Sequence, residues 1–204
     1  MDQINVKVII GSTRQGRFGD KPASWIYQEI GKVEGVSAEL LDLREYNMPF
    51  FDEPTSPHQS KGKYSNPTVQ KWSDKIREAD AFIVITPEYN HGYPGVLKNA
   101  MDVLYDEWNH KPIGFLSYGS VGGARAIEQL RQVVIELQMT PIRFDLHVPH
   151  DVYMKAATET IPVNTETFAP MRKSHRGDPL ELFINELLWH ARPLKTARHA
   201  DTKK

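Results

Sequence analysis

Cysteine is absent from this 204-residue chain, which excludes disulfides, thiolate catalysis, iron–sulfur clusters and cysteine-held zinc. Long apolar runs are missing as well. No segment approaches the length that spans a bilayer, and the opening MDQINVKVIIGS enters a strand-like stretch without the basic and long apolar regions of a signal peptide. A cytoplasmic location is the expectation. An excess of charge of one sign is also lacking: 25 Lys and Arg stand against 26 Asp and Glu, so the totals point to neither nucleic acid nor a membrane surface, and a small-molecule partner is expected. There is no GxGxxG, no Lys-Ser or Lys-Thr pair behind a GxxxxG, and no HExxH, so dinucleotide, nucleoside-triphosphate and zincin signatures are all wanting. His147 and His150 lie near each other without a third ligand in sequence reach, and no metal site is read.

What is present reads as one domain over residues 1–192 followed by a polar tail at 193–204. With 40% hydrophobic side chains the chain is long enough for a sizeable core. Ile4 to Ile10 (INVKVII) is strongly β-branched, and Ala81 to Ile85 (AFIVI) suits a strand covered on both faces. Val36 to Leu43 and Ile113 to Tyr118 are read as the second and fourth strands. A fifth is placed over Thr140 to Val148, more alternating and so nearer an edge. Apolar residues at helical spacing mark helices from about Pro22 to Lys32, Pro67 to Ala79, after Pro94, Ala126 to Met139 and Leu180 to Ala191. Five strands alternating with helices predict an α/β doubly wound parallel sheet. Residues 44–66 are irregular, with Pro49, Pro54 and Pro57 around apolar Met48, Phe50 and Phe51. They read as a site-covering loop or a subunit contact rather than a disordered loop, since an exposed Phe-Phe pair is unfavourable. Residues 149–179 show no pattern that assigns them.

Three strand-to-helix turns carry the chemistry. Ser12-Thr13-Arg14-Gln15-Gly16-Arg17-Phe18-Gly19 crowds hydroxyls, glycines and two arginines before a helix, where a phosphate finds convergent donors and a positive helix end. An ordinary polar turn has the same composition, but the position directly after a buried strand favours the phosphate. Pro87-Glu88-Tyr89-Asn90, with Pro94 opening the next helix, leaves backbone N–H groups and an aromatic ring at the carboxyl edge of the sheet. Ser117-Tyr118-Gly119-Ser120-Val121-Gly122-Gly123 is a glycine turn that a flat ligand could approach closely.

With these loops in this order, residues 4 to about 140 resemble the NAD(P)H-dependent FMN reductases, a flavodoxin-like group that includes quinone, azo-dye and chromate reductases. The resemblance rests on Gly11-Ser12-Thr13-Arg14 with Arg17, on Pro87-Glu88-Tyr89-Asn90 with Pro94, Leu97, Lys98 and Asn99, and on Ser117 to Gly123 with Ala124 and Arg125. Arg17 stands where many relatives have serine. The resemblance implies a flavodoxin-like five-stranded sheet of order 2-1-3-4-5 with helices on both faces. It implies an FMN phosphate on Ser12, Arg14, Arg17, Phe18 and Gly19. The flavin ring would lie along Pro87, Glu88, Tyr89 and Asn90, with Ser117, Tyr118, Gly119, Ser120 and Gly122 at its other end and one face open.

The implied reaction is ping-pong: a hydride passes from NADPH or NADH through bound FMN to a quinone, azo compound, free flavin or metal oxyanion. No acid or base is assigned. His91 is the one candidate proton donor, against a plainer reading as an exposed loop histidine. A homodimer or homotetramer is implied too. The alternatives are a flavodoxin-like electron carrier without nicotinamide turnover, against which the near-neutral charge argues, and a flavin-free binding module.

Overall fold

The computed structural model describes residues 3–201. Strand β1 (Ile4–Ile10) lies between β2 (Val36–Asp42) and β3 (Ala81–Pro87), β3 pairs with β4 (Pro112–Tyr118), and all of these pairings are parallel. Two short strands, β5 (Thr140–Pro141) and β6 (Leu146–His147), both run beside β4. The order 2-1-3-4-5 is the flavodoxin-like one expected from the sequence. Helices α1 (Asp20–Ile30), α2 (Pro57–Ser60), α3 (Pro67–Arg77), α4 (Gly95–Asp102), α5 (Ala124–Glu136), α6 (His150–Ala157) and α7 (Pro179–Asp201) complete the chain.

β3 and β4 are buried along their whole length because each face of the sheet is covered. On one side α1, α6 and α7 supply Trp25, Ile26, Val152, Phe183 and Leu187 to a core with Val6, Val8 and Ile83. On the other, Trp72, Met101 and Leu130 of α3, α4 and α5 pack on Ile9, Phe82 and Val84. β1 carries one charged side chain, Lys7, which is buried and paired with Glu39 and Glu78. Helix starts follow local chemistry. Asn66 Oδ1 accepts from Thr68 N at 2.9 Å and from Val69 N at 3.3 Å, and Pro67 occupies the first position of α3.

Two expectations are corrected, and one unassigned stretch gains its structure. The fifth strand is not continuous over Thr140 to Val148. Between β5 and β6, Arg131 of α5 gathers the Ile142 carbonyl (2.7 Å) and the Asp145 carboxylate (2.8 Å), while Glu186 of α7 accepts from the N–H groups of Arg143 and Phe144 (both 3.1 Å). Side chains therefore take the backbone groups a ladder would use. Residues 149–179 are structured: α6 and a 3₁₀ segment, Thr165–Arg172, bring Phe168 to stack on Trp25 with ring centroids 4.9 Å apart. The proposed tail from 193 is also not a separate solvated piece, since α7 runs through Pro193 to Asp201. There Lys195 Nζ and Arg198 each reach the Asp80 carboxylate at 2.8 Å. Residues 202–204 of that tail lie outside the described residues. No helix among the described residues is long and apolar enough to cross a membrane.

Candidate functional site

The parallel register brings the ends of β1, β3 and β4 level, so the three turns that follow them meet at one edge. Gly11 N donates to Ile85 O at 2.8 Å, and a Cβ at Gly11 would lie 2.9 Å from both Ile85 O and a Leu97 methyl. Only glycine allows the first turn to lie this close to β3 and α4. Ser12 Oγ and Tyr89 Oη are 3.0 Å apart and join the first turn to the second. Glu88 joins the second to the third. Its carboxylate meets Arg125 Nη1 at 2.8 Å and the Arg125 backbone N–H at 3.2 Å, at the start of α5, where Gly123 has no side chain to cap the helix. Phe18 packs edge-on against Tyr118 with centroids 5.0 Å apart, which ties the first turn to the third.

The second turn is tight. Tyr89 and Gly92 exchange N–H···O bonds of 2.8 and 3.0 Å, and Asn90 (φ 50°) and His91 (φ 67°) both sit in the left-handed region. This is a two-residue turn of the type that favours Asn at its first central position. Asn90 is exposed at its tip. The His91 ring is exposed as well, and the His91 carbonyl accepts from Gln129 Nε2 at 3.0 Å.

The two arginines of the first turn differ sharply. Arg17 is 6% exposed, and every guanidinium N–H has an acceptor within the protein. Nε reaches Asp20 at 2.6 Å, Nη1 reaches Ser12 O at 2.5 Å and Asp42 at 2.6 Å, and Nη2 reaches Asp42 and Asp20. Burial alone would lower the Arg17 pKa, but the two carboxylates outweigh it and hold the guanidinium charged. Arg17 is thus corrected from phosphate ligand to the post around which the turn is wound. Arg14 is exposed, and its guanidinium has no hydrogen bond or ion pair with the described residues.

Other expected residues are at the edge with their side chains already engaged. The Phe18 ring is buried between Tyr118 and Tyr153. Gly19 precedes α1, and a Cβ there would meet the Tyr118 hydroxyl at 2.8 Å. Burial raises the Tyr118 pKa, so the phenol is kept neutral. Ser117 is buried, and its hydroxyl donates to Gly122 O at 2.6 Å. Pro87 is buried, while Gly119 and Gly122 leave backbone at the surface beside exposed Ser120. Sequence reasoning missed Asp42, Arg44 and His147. Asp42 escaped it because only the parallel β1–β2 register sets Asp42 opposite Ile10, directly before the first turn. Arg44 reaches the Arg14 carbonyl from the segment after β2. His147 is too far along the chain for any local pattern to connect it with Ser117.

A phosphate suits what the first turn leaves free. The backbone N–H groups of Thr13, Gln15, Gly16 and Phe18 donate to nothing among the described residues, the Arg14 guanidinium is unpaired, and α1 begins beside them without a side-chain cap. A parallel sheet of order 2-1-3-4-5 with three strand-to-helix turns meeting at its carboxyl edge defines the class: a flavodoxin-like α/β protein. The chain belongs to the NADPH-dependent FMN reductase family, whose profile matches residues 4–152. An NAD(P)H-dependent FMN reductase of Schizosaccharomyces pombe, C4B3.06c, is 34% identical over 181 residues, covering 87% of this chain and 90% of its own. The quinone reductase of Escherichia coli K12 is 33% identical over 143 residues, covering 67% and 72%. Among solved structures, the flavoenzyme NAD(P)H:(acceptor) oxidoreductase FerB of Paracoccus denitrificans superposes with a TM-score of 0.60 at 20% identity, over 92% of this chain and 98% of its own. That likeness speaks to the fold.

Proposed function

We propose that this chain binds FMN in the three-turn cradle and passes reducing equivalents from NADPH or NADH to a small-molecule acceptor such as a quinone, an azo compound, free flavin or a metal oxyanion. The observation that carries this reading is the donor set of the first turn, an unpaired Arg14 beside free backbone N–H groups, tied through Ser12 and Tyr89 to a second turn at the same edge. When bound, FMN supplies the acceptance and release of hydride. The protein's share is binding, orientation and shielding. Arg14, Ser12 and the free amides of Thr13, Gln15, Gly16 and Phe18 hold the phosphate, with Gly19 at the start of α1 behind them. Pro87, Glu88 and Tyr89 form the rim for the ring, Asn90 offers its amide to the ring's polar edge, and Tyr118, Gly119, Ser120 and Gly122 let the other end approach backbone closely. Arg17 and Ser117 serve by fixing these turns from behind.

Purified protein titrated with FMN, then mixed anaerobically with NADPH, is expected to show flavin absorbance that bleaches on reduction and returns with a quinone. A flavin bleached slowly, with no steady-state NADPH oxidation by any acceptor, indicates an electron carrier. Protein that stays colourless with FMN indicates a flavin-free module. His91 is retained as the candidate proton donor because its exposed ring sits in the turn beside Asn90, and unchanged turnover in His91→Ala removes it.

Phe50 is 82% exposed and Phe51 41%, although Asn99 of α4 fastens their loop by accepting from Phe51 N at 3.0 Å and donating to Pro49 O at 2.8 Å. A loop fastened to α4 that presents two phenylalanines is better covered by a second copy than by water. Light scattering is expected to return a dimer or tetramer mass, reduced towards the monomer by Phe50→Asp. A monomeric wild type sinks the assignment.

A further inference from the structure

His147 ends β6, an edge strand outside the three turns, yet its exposed side chain is hydrogen-bonded to the third of them. Its Nδ1 lies 3.0 Å from Ser117 Oγ and 3.2 Å from the Gly122 carbonyl oxygen. Its Cβ is also close, since a Cβ at Gly122 would lie 3.2 Å from it. The donor arithmetic at this junction has one solution. The Gly122 carbonyl only accepts, and the single Ser117 hydroxyl proton already points at it over 2.6 Å. Nδ1 faces the same carbonyl and a hydroxyl oxygen whose proton is committed, so Nδ1 must carry a proton and donate to both. In the neutral ring Nε2 is then the bare nitrogen.

What this junction holds is the shape of the turn. Gly122 (φ 73°) and Gly123 (φ 83°) are both left-handed, and Gly123 passes so near β4 that a Cβ on it would be 2.6 Å from Ser117 Cβ. Two consecutive glycines in that region are loose unless something outside fixes their carbonyls. Gly122 N donates to Gly119 O at 3.1 Å and closes the turn from within, while Ser117 and His147 fix it from outside. The structure assigns His147 as a positioning residue for the flavin: its Nδ1–H locks the Gly119–Gly123 turn in the conformation that meets the ring. This rests on the flavin reading given above.

The test uses which nitrogen matters. Asparagine places an N–H donor near the position of Nδ1, whereas glutamine places one near Nε2. His147→Ala and His147→Gln are each expected to weaken FMN binding about threefold to tenfold, and His147→Asn to return it to within about twofold of wild type. Amide hydrogen exchange at Gly122, the hydrogen-bonded amide of the turn, is expected in the flavin-free proteins to speed up in His147→Ala and His147→Gln and to stay at the wild-type rate in His147→Asn. Wild-type affinity in His147→Ala, or His147→Asn as impaired as His147→Ala, overturns the assignment while wild-type FMN binding stands. A wild type that binds no FMN overturns the flavin reading itself, so the two failures are told apart.

Discussion

Arg17→Ala is expected to lower the free energy of unfolding by about 3–5 kcal/mol, the range for removing one partner of a buried ion pair. The guanidinium stands between Asp42 at the end of β2, Asp20 at the start of α1 and the Ser12 carbonyl. Without it, two partly buried carboxylates face each other with only Arg44 beside them, which lies 3.8 Å from Asp20 and donates its backbone N–H to Asp42 at 2.9 Å. Urea denaturation measures the loss. A fall of less than about 1 kcal/mol, the ordinary size for an exposed pair, means that water replaces the arginine without difficulty. The pH dependence carries a matching sign. Burial by itself would raise the Asp42 carboxyl, but hydrogen bonds from Arg17 and the Arg44 backbone outweigh it and hold the group below its ordinary 3.8. A folded-state value below the unfolded one stabilises fully at pH values above about 4, and that contribution fades as pH falls through the folded-state value. The acid-unfolding midpoint of Arg17→Ala is therefore expected at higher pH than that of the wild type.

Arg14→Ala is expected to do the opposite. Its side chain is exposed and has no partner among the described residues, so stability should stay within about 0.5 kcal/mol of wild type. FMN affinity is expected to fall about tenfold to a hundredfold, since a charge-assisted hydrogen bond contributes about 1.5–3 kcal/mol. Fluorescence titration reads the change directly. Unchanged affinity removes Arg14 from the phosphate site and leaves Ser12 and the backbone N–H groups as its donors. Riboflavin, which lacks the phosphate, is the internal control: its weaker binding should be insensitive to the substitution.

This contrast shows how far residue types alone carry the reading. Arg14 and Arg17 are three positions apart in a turn rich in donors, and composition treats them alike. Which one faces a ligand depends on Asp42, which reaches the turn only because β2 pairs with β1 in parallel. Glu88 is a similar case. Its place after β3 puts it at the edge, but Arg125, delivered by the third turn, decides that its carboxylate ties two turns together. Within the unassigned stretch 149–179, Phe168 and Met171 escaped because they lie in a 3₁₀ segment containing Pro170, where neither helical nor strand periodicity exists to be read.

By itself the sequence placed the first four strands and the three turns along the chain, and the resemblance those turns carry supplied the family and the sheet order. Buried parallel strands must be apolar on both faces, and the turns after them are confined to glycine, proline and short polar residues, so both leave local patterns. Tertiary structure alone decided which polar groups remain free. That depends on partners distant in the chain: Asp42 for Arg17, Arg125 for Glu88, His147 for Ser117, and Asp80 for a C-terminal stretch that otherwise reads as tail. A hydrogen bond is specified by two positions in space, and a local pattern of residues specifies only one of them.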